Sequence, residues 1–186
     1  FVSYANKEKQ MDKYVKTLIE EIDKFDFFNY NVTTIYIGGG TPTTLEAEEL
    51  RRLLKAVREQ LDFSQVKEFT VEAGRADSIT REKLEVLKEF GVDRISVNPQ
   101  TMKQETLDII GRRHTVEQVK EAFALAKEVG FENINMDLIL GLPGELEEDV
   151  QYTIDEVVKM APDSLTVHSL AIKRASRLNQ WIQENG

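Results

Sequence analysis

Residues 34–43 read Thr-Ile-Tyr-Ile-Gly-Gly-Gly-Thr-Pro-Thr. The β-branched and aromatic residues at the start of this stretch predict a strand, and the proline predicts that a helix opens soon after the three glycines. Glycine lacks the Cβ that would hold a ligand away from the main chain, and the free N–H groups of a helix start favour a carboxylate or a phosphate. The stretch therefore predicts a ligand cradle, although a G-x-G-x-x-G begun at Gly38 meets Thr43 instead of its last glycine and no P-loop lysine follows. Taken alone, it is equally compatible with a glycine-rich turn that binds nothing.

Length and composition indicate an ordinary globular domain. The chain has 186 residues, of which 41% are hydrophobic and 31% charged, and its net charge of −9 disfavours a nucleic-acid partner. No apolar run is long enough to span a membrane and no signal peptide opens the chain, so we expect a cytoplasmic protein without a membrane partner. Cysteine is absent and only two histidines occur, which leaves no usual metal site. Because the first residue is Phe1 and not Met, we expect that a preceding segment is missing.

Apolar periodicity predicts five strands that alternate with helices at a spacing of roughly 30 residues, the size of one βαβ unit. The predicted strands are 34–37, 66–73, 94–98, 133–140 and 165–172. The predicted helices lie at 7–27, after a capping box opened by Thr43, between Thr80 and Gly91, at 106–110, between Thr115 and Gly130, around 150–158, and near the C-terminus with Leu178 and Ile182 on its apolar face. This alternation predicts a parallel sheet in one domain covering residues 1–186.

Periodicity does not decide between an open doubly wound sheet and a barrel. The unusual residues favour a partial (β/α) barrel of the TIM type, because they fall at or near the carboxyl ends of successive strands: residues 38–41, Glu72, Gln100, Asp137 and Ala171. In such a barrel these ends share one rim, where active sites lie.

Five motifs in order extend this interpretation: Gly-Gly-Gly-Thr-Pro-Thr at 38–43, Val-Glu-Ala at 71–73, Arg-Ile-Ser-Val-Asn-Pro-Gln at 94–100, Ile-Gly-Arg-Arg-His at 110–114, and Asn-Met-Asp-Leu-Ile-Leu-Gly-Leu-Pro-Gly at 135–144. Together they resemble radical S-adenosylmethionine (SAM) enzymes, and within them the oxygen-independent coproporphyrinogen III oxidases, also called coproporphyrinogen dehydrogenases. The resemblance runs from the first predicted strand to about Leu178.

The resemblance implies a SAM site, position by position. Gly39, Gly40 and Thr41 match the glycine-rich motif whose backbone lies along the methionine amine and carboxylate. The remaining matches to SAM-contacting positions are Glu72, Gln100, Arg112, Asp137 and Ala171, the last near the adenosyl part. These side chains suit the task, since Asp can accept two ribose hydroxyls, Arg can pair with a carboxylate in a fork, and Gln offers both a donor and an acceptor.

The family also holds a [4Fe–4S] cluster with three cysteines in a C-x-x-x-C-x-x-C loop, which this chain lacks. We therefore expect that the first strand and the cluster loop precede Phe1, and that the chain as it stands does not cleave SAM. For the intact protein, the resemblance implies that a 5′-deoxyadenosyl radical starts the oxidative decarboxylation of coproporphyrinogen III propionates to vinyl groups. An electron donor such as flavodoxin or ferredoxin is the implied protein partner.

Two alternatives stay open at this point. One is a relative of the same family that binds and delivers haem without oxidase activity, and the other is a non-radical barrel that binds a phosphorylated metabolite. Single residues also have simpler readings: Glu72 and Asp137 could be bonded to neighbouring loops, and residues 112–114 could be a charged, solvated helix end.

Overall fold

The computed structural model describes residues 10–171, together with Asn179 and Gln183. These residues form a five-stranded sheet in which every neighbouring pair is parallel and the order in space follows the order in the chain. Helices connect the strands, which is the arrangement of part of a (β/α) barrel. In chain order the elements are α1 Met11–Lys24, β1 Thr34–Ile37, α2 Ala47–Gln60, β2 Glu68–Gly74, α3 Arg81–Glu89, β3 Arg94–Gln100, α4 Gln104–Ile109, α5 Val116–Val129, β4 Asn133–Leu140, α6 Glu147–Met160 and β5 Ser164–Ser169.

The core lies between one face of the sheet and the helices. Phe69, Val71, Ile95, Val97 and Ile134 are almost completely buried on this face. They pack with the apolar stripes of the helices, as burial of strand residues beneath crossover helices requires.

The opposite side of the sheet, here called the polar face, carries hydrogen-bonding side chains from every strand. Its members are Tyr36 in β1, Glu68, Thr70 and Glu72 in β2, Arg94, Ser96 and Asn98 in β3, Asn135 and Asp137 in β4, and Ser164 and Thr166 in β5. Several are bonded to each other along or across strands: the Thr70 hydroxyl donates to Glu68 at 2.8 Å, and the Arg94 guanidinium lies 3.8 Å from the same carboxylate. Strand alternation therefore separates an apolar core side from a polar one.

Most predicted helix ends are confirmed. Thr80 caps α3 by accepting a hydrogen bond from the Lys83 N–H, and Thr115 forms the predicted capping box with Gln118 at the start of α5. Gly91 and Gly130 follow the ends of α3 and α5 with φ of +82° and +98°, where a side chain would be strained.

The predicted capping box at Thr43 is wrong. Residues Pro42–Thr44 form a turn of 3₁₀ helix, and α2 begins only after Glu46, whose N–H donates to the Glu49 carboxylate. The Thr43 hydroxyl is engaged elsewhere: it donates to the Ala73 carbonyl at 2.6 Å and lies 2.7 Å from the Ser78 hydroxyl. The buried Lys83 ammonium donates to the Thr43 carbonyl at 2.9 Å. This network fastens the glycine-rich turn to the end of β2 and to α3.

Two predictions fall at the ends of the described chain. The last strand ends at Ser169, and Ile172 of the predicted strand lies outside the described residues, as do Leu178 and Ile182 of the predicted C-terminal helix. Within the part of the chain that the structure describes, no helix is long and apolar enough to cross a membrane.

The Thr43 network makes a prediction about stability. Thr43→Val keeps the shape of the side chain but leaves the Ala73 carbonyl and the Ser78 hydroxyl without this partner in a buried site, which we expect to lower the free energy of unfolding by about 1–3 kcal/mol. Thr44→Val is the matched control, because the Thr44 hydroxyl bonds the Thr41 carbonyl at an exposed position. Urea unfolding of both variants checks this; equal losses would contradict it.

Candidate functional site

The glycine-rich turn and three predicted ligand residues meet at one edge of the sheet. Residues 38–41 follow β1 directly, Glu72 lies near the end of β2, Gln100 is the last residue of β3, and Asp137 lies in the second half of β4. Because all strands run parallel, their carboxyl ends share this edge, as the sequence analysis expected.

The Glu72 carboxylate connects β2 to the turn after β1. Its Oε2 accepts a hydrogen bond from the Gly39 N–H at 3.3 Å and lies 3.5 Å from the Tyr36 hydroxyl, at the long limit of a hydrogen bond. Burial raises the pKa of Tyr36, and the negative charges of Glu72 and Asp137 raise it further. Tyr36 and Glu72 thus meet on the polar face, on which Asp137 also lies. Sequence reasoning did not identify Tyr36, although it lies two residues before Gly38 in the same alternating strand.

Each of the three glycines has a different reason for lacking a side chain. A Cβ on Gly38 would clash with Cε1 of Tyr36 and would lie 2.9 Å from the Glu72 carboxylate, so the tyrosine ring occupies that space. Gly39 has a φ of +109°, which side chains rarely tolerate. Gly40 has neither constraint, because it is not among the glycines with positive φ and a Cβ there would meet no atom of the described residues within 4 Å. The space beside Gly40 is therefore open to a ligand.

The sheet is irregular at this edge. Val71 pairs with Ile95, and Gly74 pairs with Val97. Between these pairs, Glu72 and Ala73 of β2 lie opposite a single residue of β3. On the other side of β3, Asn98 and Pro99 stand opposite Asp137 alone. Such bulges redirect side chains and are common beside functional sites.

Gln100 follows the second bulge with a φ of +69°, in the left-handed region that non-glycine residues seldom adopt, and its side chain is buried. The buried amide of Asn135 donates to the Asp137 carboxylate at 2.6 Å, which fixes the orientation of that carboxylate.

Arg112 lies apart from these groups, after α4, near the turn that leaves β2. Partial burial lowers the pKa of the Arg112 guanidinium, and the neighbouring Arg75 lowers it further, whereas Asp77 opposes this. Asp77 is already paired in a fork with Arg75, at 3.1 and 3.0 Å. The Arg112 main-chain N–H donates to the Leu107 carbonyl at 2.9 Å, but within the described chain the guanidinium itself has no hydrogen bond and no ion pair, so its charge remains available for an anionic ligand.

The two residues that follow Arg112 differ sharply in their exposure to solvent. Arg113 is exposed, in keeping with the interpretation of a solvated helix end, but His114 is completely buried and both of its ring nitrogens lack a hydrogen-bond partner. Burial lowers the pKa of His114, the Arg112 charge lowers it further, and Asp77 and the nearby Pro99 carbonyl act in the opposite direction. The histidine is therefore a neutral, enclosed side chain beside Arg112.

The last predicted residue, Ala171, lies just beyond β5 and is exposed. Leu170 continues the pairing with β4 through its N–H bond to the Leu140 carbonyl at 2.9 Å, so Ala171 reaches the same edge from the far side of the sheet. The basic residues that follow it, Lys173, Arg174 and Arg177, lie outside the described residues.

A cavity lies at the opposite edge of the sheet, beside the amino ends of β1 and β2. It measures about 500 Å³ and is lined by residues from 25–32 and from 60–65, which precede β1 and β2. None of the predicted site residues contributes to it. Across residues 10–171, no group of three or more histidine, aspartate or glutamate side chains is arranged to hold a metal ion.

Comparison with known proteins adds an independent observation to this geometry. The pattern of the radical SAM superfamily matches residues 2–157. The chain belongs to the radical SAM superfamily. Members of this superfamily use SAM together with a [4Fe–4S] cluster, so the prediction of these two cofactors is confirmed at the level of the family.

Three relatives define its neighbourhood within the superfamily. The chain is 52% identical over 150 residues to the oxygen-independent coproporphyrinogen-III oxidase-like protein HemZ of Bacillus subtilis, covering 80% of this chain and 30% of HemZ. It is 41% identical over 163 residues to the heme chaperone HemW of Lactococcus lactis, covering 88% of this chain and 42% of HemW. The structure of coproporphyrinogen III oxidase from Escherichia coli, a radical SAM enzyme, superimposes with a TM-score of 0.82 at 28% identity, over 93% of this chain and 40% of the enzyme.

These similarities confirm the predicted partial barrel and the family of coproporphyrinogen oxidases and their relatives. They argue against a non-radical barrel. The chain spans less than half the length of each of these three relatives. The assignments of Gly39, Gly40, Thr41, Glu72, Gln100, Arg112, Asp137 and Ala171 to SAM stay predictions.

The glycines allow these assignments to be tested. Gly40→Ala adds a methyl group into open space without backbone strain, so we expect the free energy of unfolding to change by less than about 0.5 kcal/mol while SAM binding is lost. Gly39→Ala should instead destabilise the fold by about 1–3 kcal/mol because of its positive φ. Thermal unfolding and calorimetric titration with SAM measure both effects; a Gly40→Ala variant that binds SAM normally would contradict the cradle.

The enclosed His114 makes a prediction about pH. Its pKa in the folded chain lies below the ordinary value of 6.5 that it has when unfolded, so the unfolded chain takes up the proton more readily. Its contribution to stability is complete above pH 6.5 and is lost as the pH falls toward the lower folded pKa. We expect His114→Gln to reduce the fall in unfolding midpoint between about pH 7.5 and about pH 5.5.

His168→Gln is the control, because His168 is the second of the two histidines and is exposed. Its pH dependence should follow that of the wild type. If both variants lost stability with pH as the wild type does, His114 would not be the group that titrates.

Proposed function

We propose that the intact protein containing this chain is a radical SAM oxidoreductase of porphyrin biosynthesis, which converts propionates of coproporphyrinogen III to vinyl groups by oxidative decarboxylation. The observation that carries the proposal is the convergence of the Gly39 N–H, the Glu72 carboxylate and the Asp137 carboxylate at the carboxyl edge of a parallel sheet. The similarity to HemZ and to the E. coli oxidase supports the choice of substrate class.

In this proposal the chain positions SAM. The backbone at Gly39, Gly40 and Thr41 lies along the methionine end, where a Cβ on Gly40 would intrude. Arg112 pairs with the methionine carboxylate, since no group of the described chain neutralises its charge. The buried Asn135 holds Asp137 in place to accept hydrogen bonds from the ribose hydroxyls.

The remaining predicted contacts complete the site. Glu72 receives the amine end, Gln100 offers a donor and an acceptor to the nucleoside, and Ala171 flanks the adenosyl group. When bound, SAM and a reduced [4Fe–4S] cluster supply the radical that begins the reaction. This chain contains no cysteine, so in our proposal the cluster ligands come from residues outside it, and residues 1–186 are one truncated core domain. We infer that a flavodoxin or ferredoxin supplies the electron.

A second candidate has its own support. HemW of L. lactis is 41% identical to this chain and is named a heme chaperone, so an intact protein that binds haem and lacks oxidase activity is the alternative. The two functions share the SAM domain and differ in the substrate, whose contacts in our proposal lie largely beyond these residues.

The test uses the intact protein with its cysteine segment, reconstituted anaerobically with iron and sulfide. We expect SAM cleavage to 5′-deoxyadenosine and formation of protoporphyrinogen from coproporphyrinogen III, with Asp137→Asn lowering both rates at least about tenfold. Cleavage without decarboxylation, combined with stoichiometric haem binding, would support the chaperone alternative. If the intact protein carried no cysteine triplet, the catalytic proposal would fail.

A further inference from the structure

Asn98 is a buried amide that makes no hydrogen bond. Its side chain is 5% exposed, its Oδ1 has no partner, and none of the hydrogen bonds among the described residues involves its Nδ2. Buried side-chain polar groups nearly always have a partner, because an unpaired one loses its hydration without compensation. In residues 10–171, the only other buried side-chain nitrogen or oxygen atoms without a hydrogen-bond partner are the two ring nitrogens of His114.

Its position in β3 directs this amide toward the candidate site. Ile95 and Val97 are fully buried on the core side of the strand, so the side chain that follows Val97 lies on the polar face. Asn98 belongs to the bulge that stands opposite Asp137, and Gln100 comes two residues later. It therefore lies between the strands that carry Glu72 and Asp137.

Asn135 shows what a structural asparagine looks like in the same environment. It lies on the polar face of the next strand and is 3% exposed, but its amide is fully engaged. Its Nδ2 donates to Asp137 at 2.6 Å, and its Oδ1 accepts from the hydroxyls of Ser164 and Thr166 at 2.9 and 3.1 Å. Two asparagines on one face, equally buried, thus differ in that one is bonded within the protein and the other is not.

We propose that Asn98 is a further ligand-contacting residue of this site, and that its amide hydrogen bonds the nucleoside of bound SAM. The proposal rests on the proposed SAM site. A primary amide presents a donor and an acceptor, and its terminal torsion has two nearly equivalent orientations, so either end can turn toward the ligand. Ribose hydroxyls and the adenine edge offer both kinds of partner. His114 is the other buried side chain without a partner, but it belongs to the loop between α4 and α5 and not to a strand of the sheet.

A pair of isosteric variants separates a ligand contact from a structural role. Asn98→Leu removes the amide and preserves the shape of the side chain. Without ligand, its thermal midpoint should equal or exceed that of the wild type, because no protein hydrogen bond is lost. Its affinity for S-adenosylhomocysteine, measured by titration calorimetry on the intact protein with its cysteine segment, should fall roughly tenfold. Asn135→Leu is the matched control and should lower the midpoint, since it breaks three hydrogen bonds.

Two outcomes would overturn the inference about Asn98, and a third would also reject the proposed SAM site. A clear fall in the midpoint of Asn98→Leu would give this amide a structural partner and overturn the inference, as would unchanged affinity for S-adenosylhomocysteine in a stable variant. If the intact wild-type protein showed no saturable binding of S-adenosylhomocysteine, the SAM site itself would be rejected and the inference with it. If the wild type shows saturable binding and Asn98→Leu binds equally well, only the inference about Asn98 is rejected.

Discussion

The contact between the Glu72 carboxylate and the Gly39 N–H is the interaction on which the arrangement of the site depends. It fastens one side of the glycine-rich turn to β2, and the Thr43 hydroxyl fastens the other side to the Ala73 carbonyl of the same strand. Gly40 lies between these two attachments, and a Cβ added there would meet no atom of the described residues within 4 Å. The turn is thus held at both ends while the space beside its middle residue is open. Its main-chain groups are already fixed in position, so a ligand can bind without the entropic cost of ordering the turn.

The strands and the shared edge followed from the sequence because they depend on local patterns. β-branched runs, capping residues and glycines gave five strands whose ends carry the unusual residues, and parallel pairing made those ends neighbours. The helix start predicted at Thr43 was wrong for a physical reason: the Thr43 hydroxyl donates to a carbonyl 30 residues away and does not cap a helix of its own. Local pattern cannot reveal that choice.

The finer features of the site depend on contacts between strands, which cannot be predicted from the periodicity of apolar residues in the sequence. The bulges at residues 72–73 and 98–99 arise from how β2, β3 and β4 pair, and they change which side chains reach the edge. The triplet Arg112, Arg113 and His114 suggested a solvated helix end, yet the structure encloses the histidine and leaves Arg113 exposed. Asn98 and Asn135 are both asparagines within buried strands, and only the structure shows that the Asn135 side chain is hydrogen-bonded while the Asn98 side chain is not.

Charge at this edge suits a sulfonium nucleoside better than a phosphate. At neutral pH, SAM carries an ammonium, a carboxylate and a sulfonium, with a net charge of +1. The groups facing it in the proposed site are the Glu72 and Asp137 carboxylates and the Arg112 guanidinium, which together carry a net charge of −1, since Arg75 and Asp77 neutralise each other. A phosphorylated metabolite would meet two carboxylates on the polar face and gain only Arg112 at its border. Electrostatic complementarity therefore favours the same ligand as the open glycine and the unpaired amide.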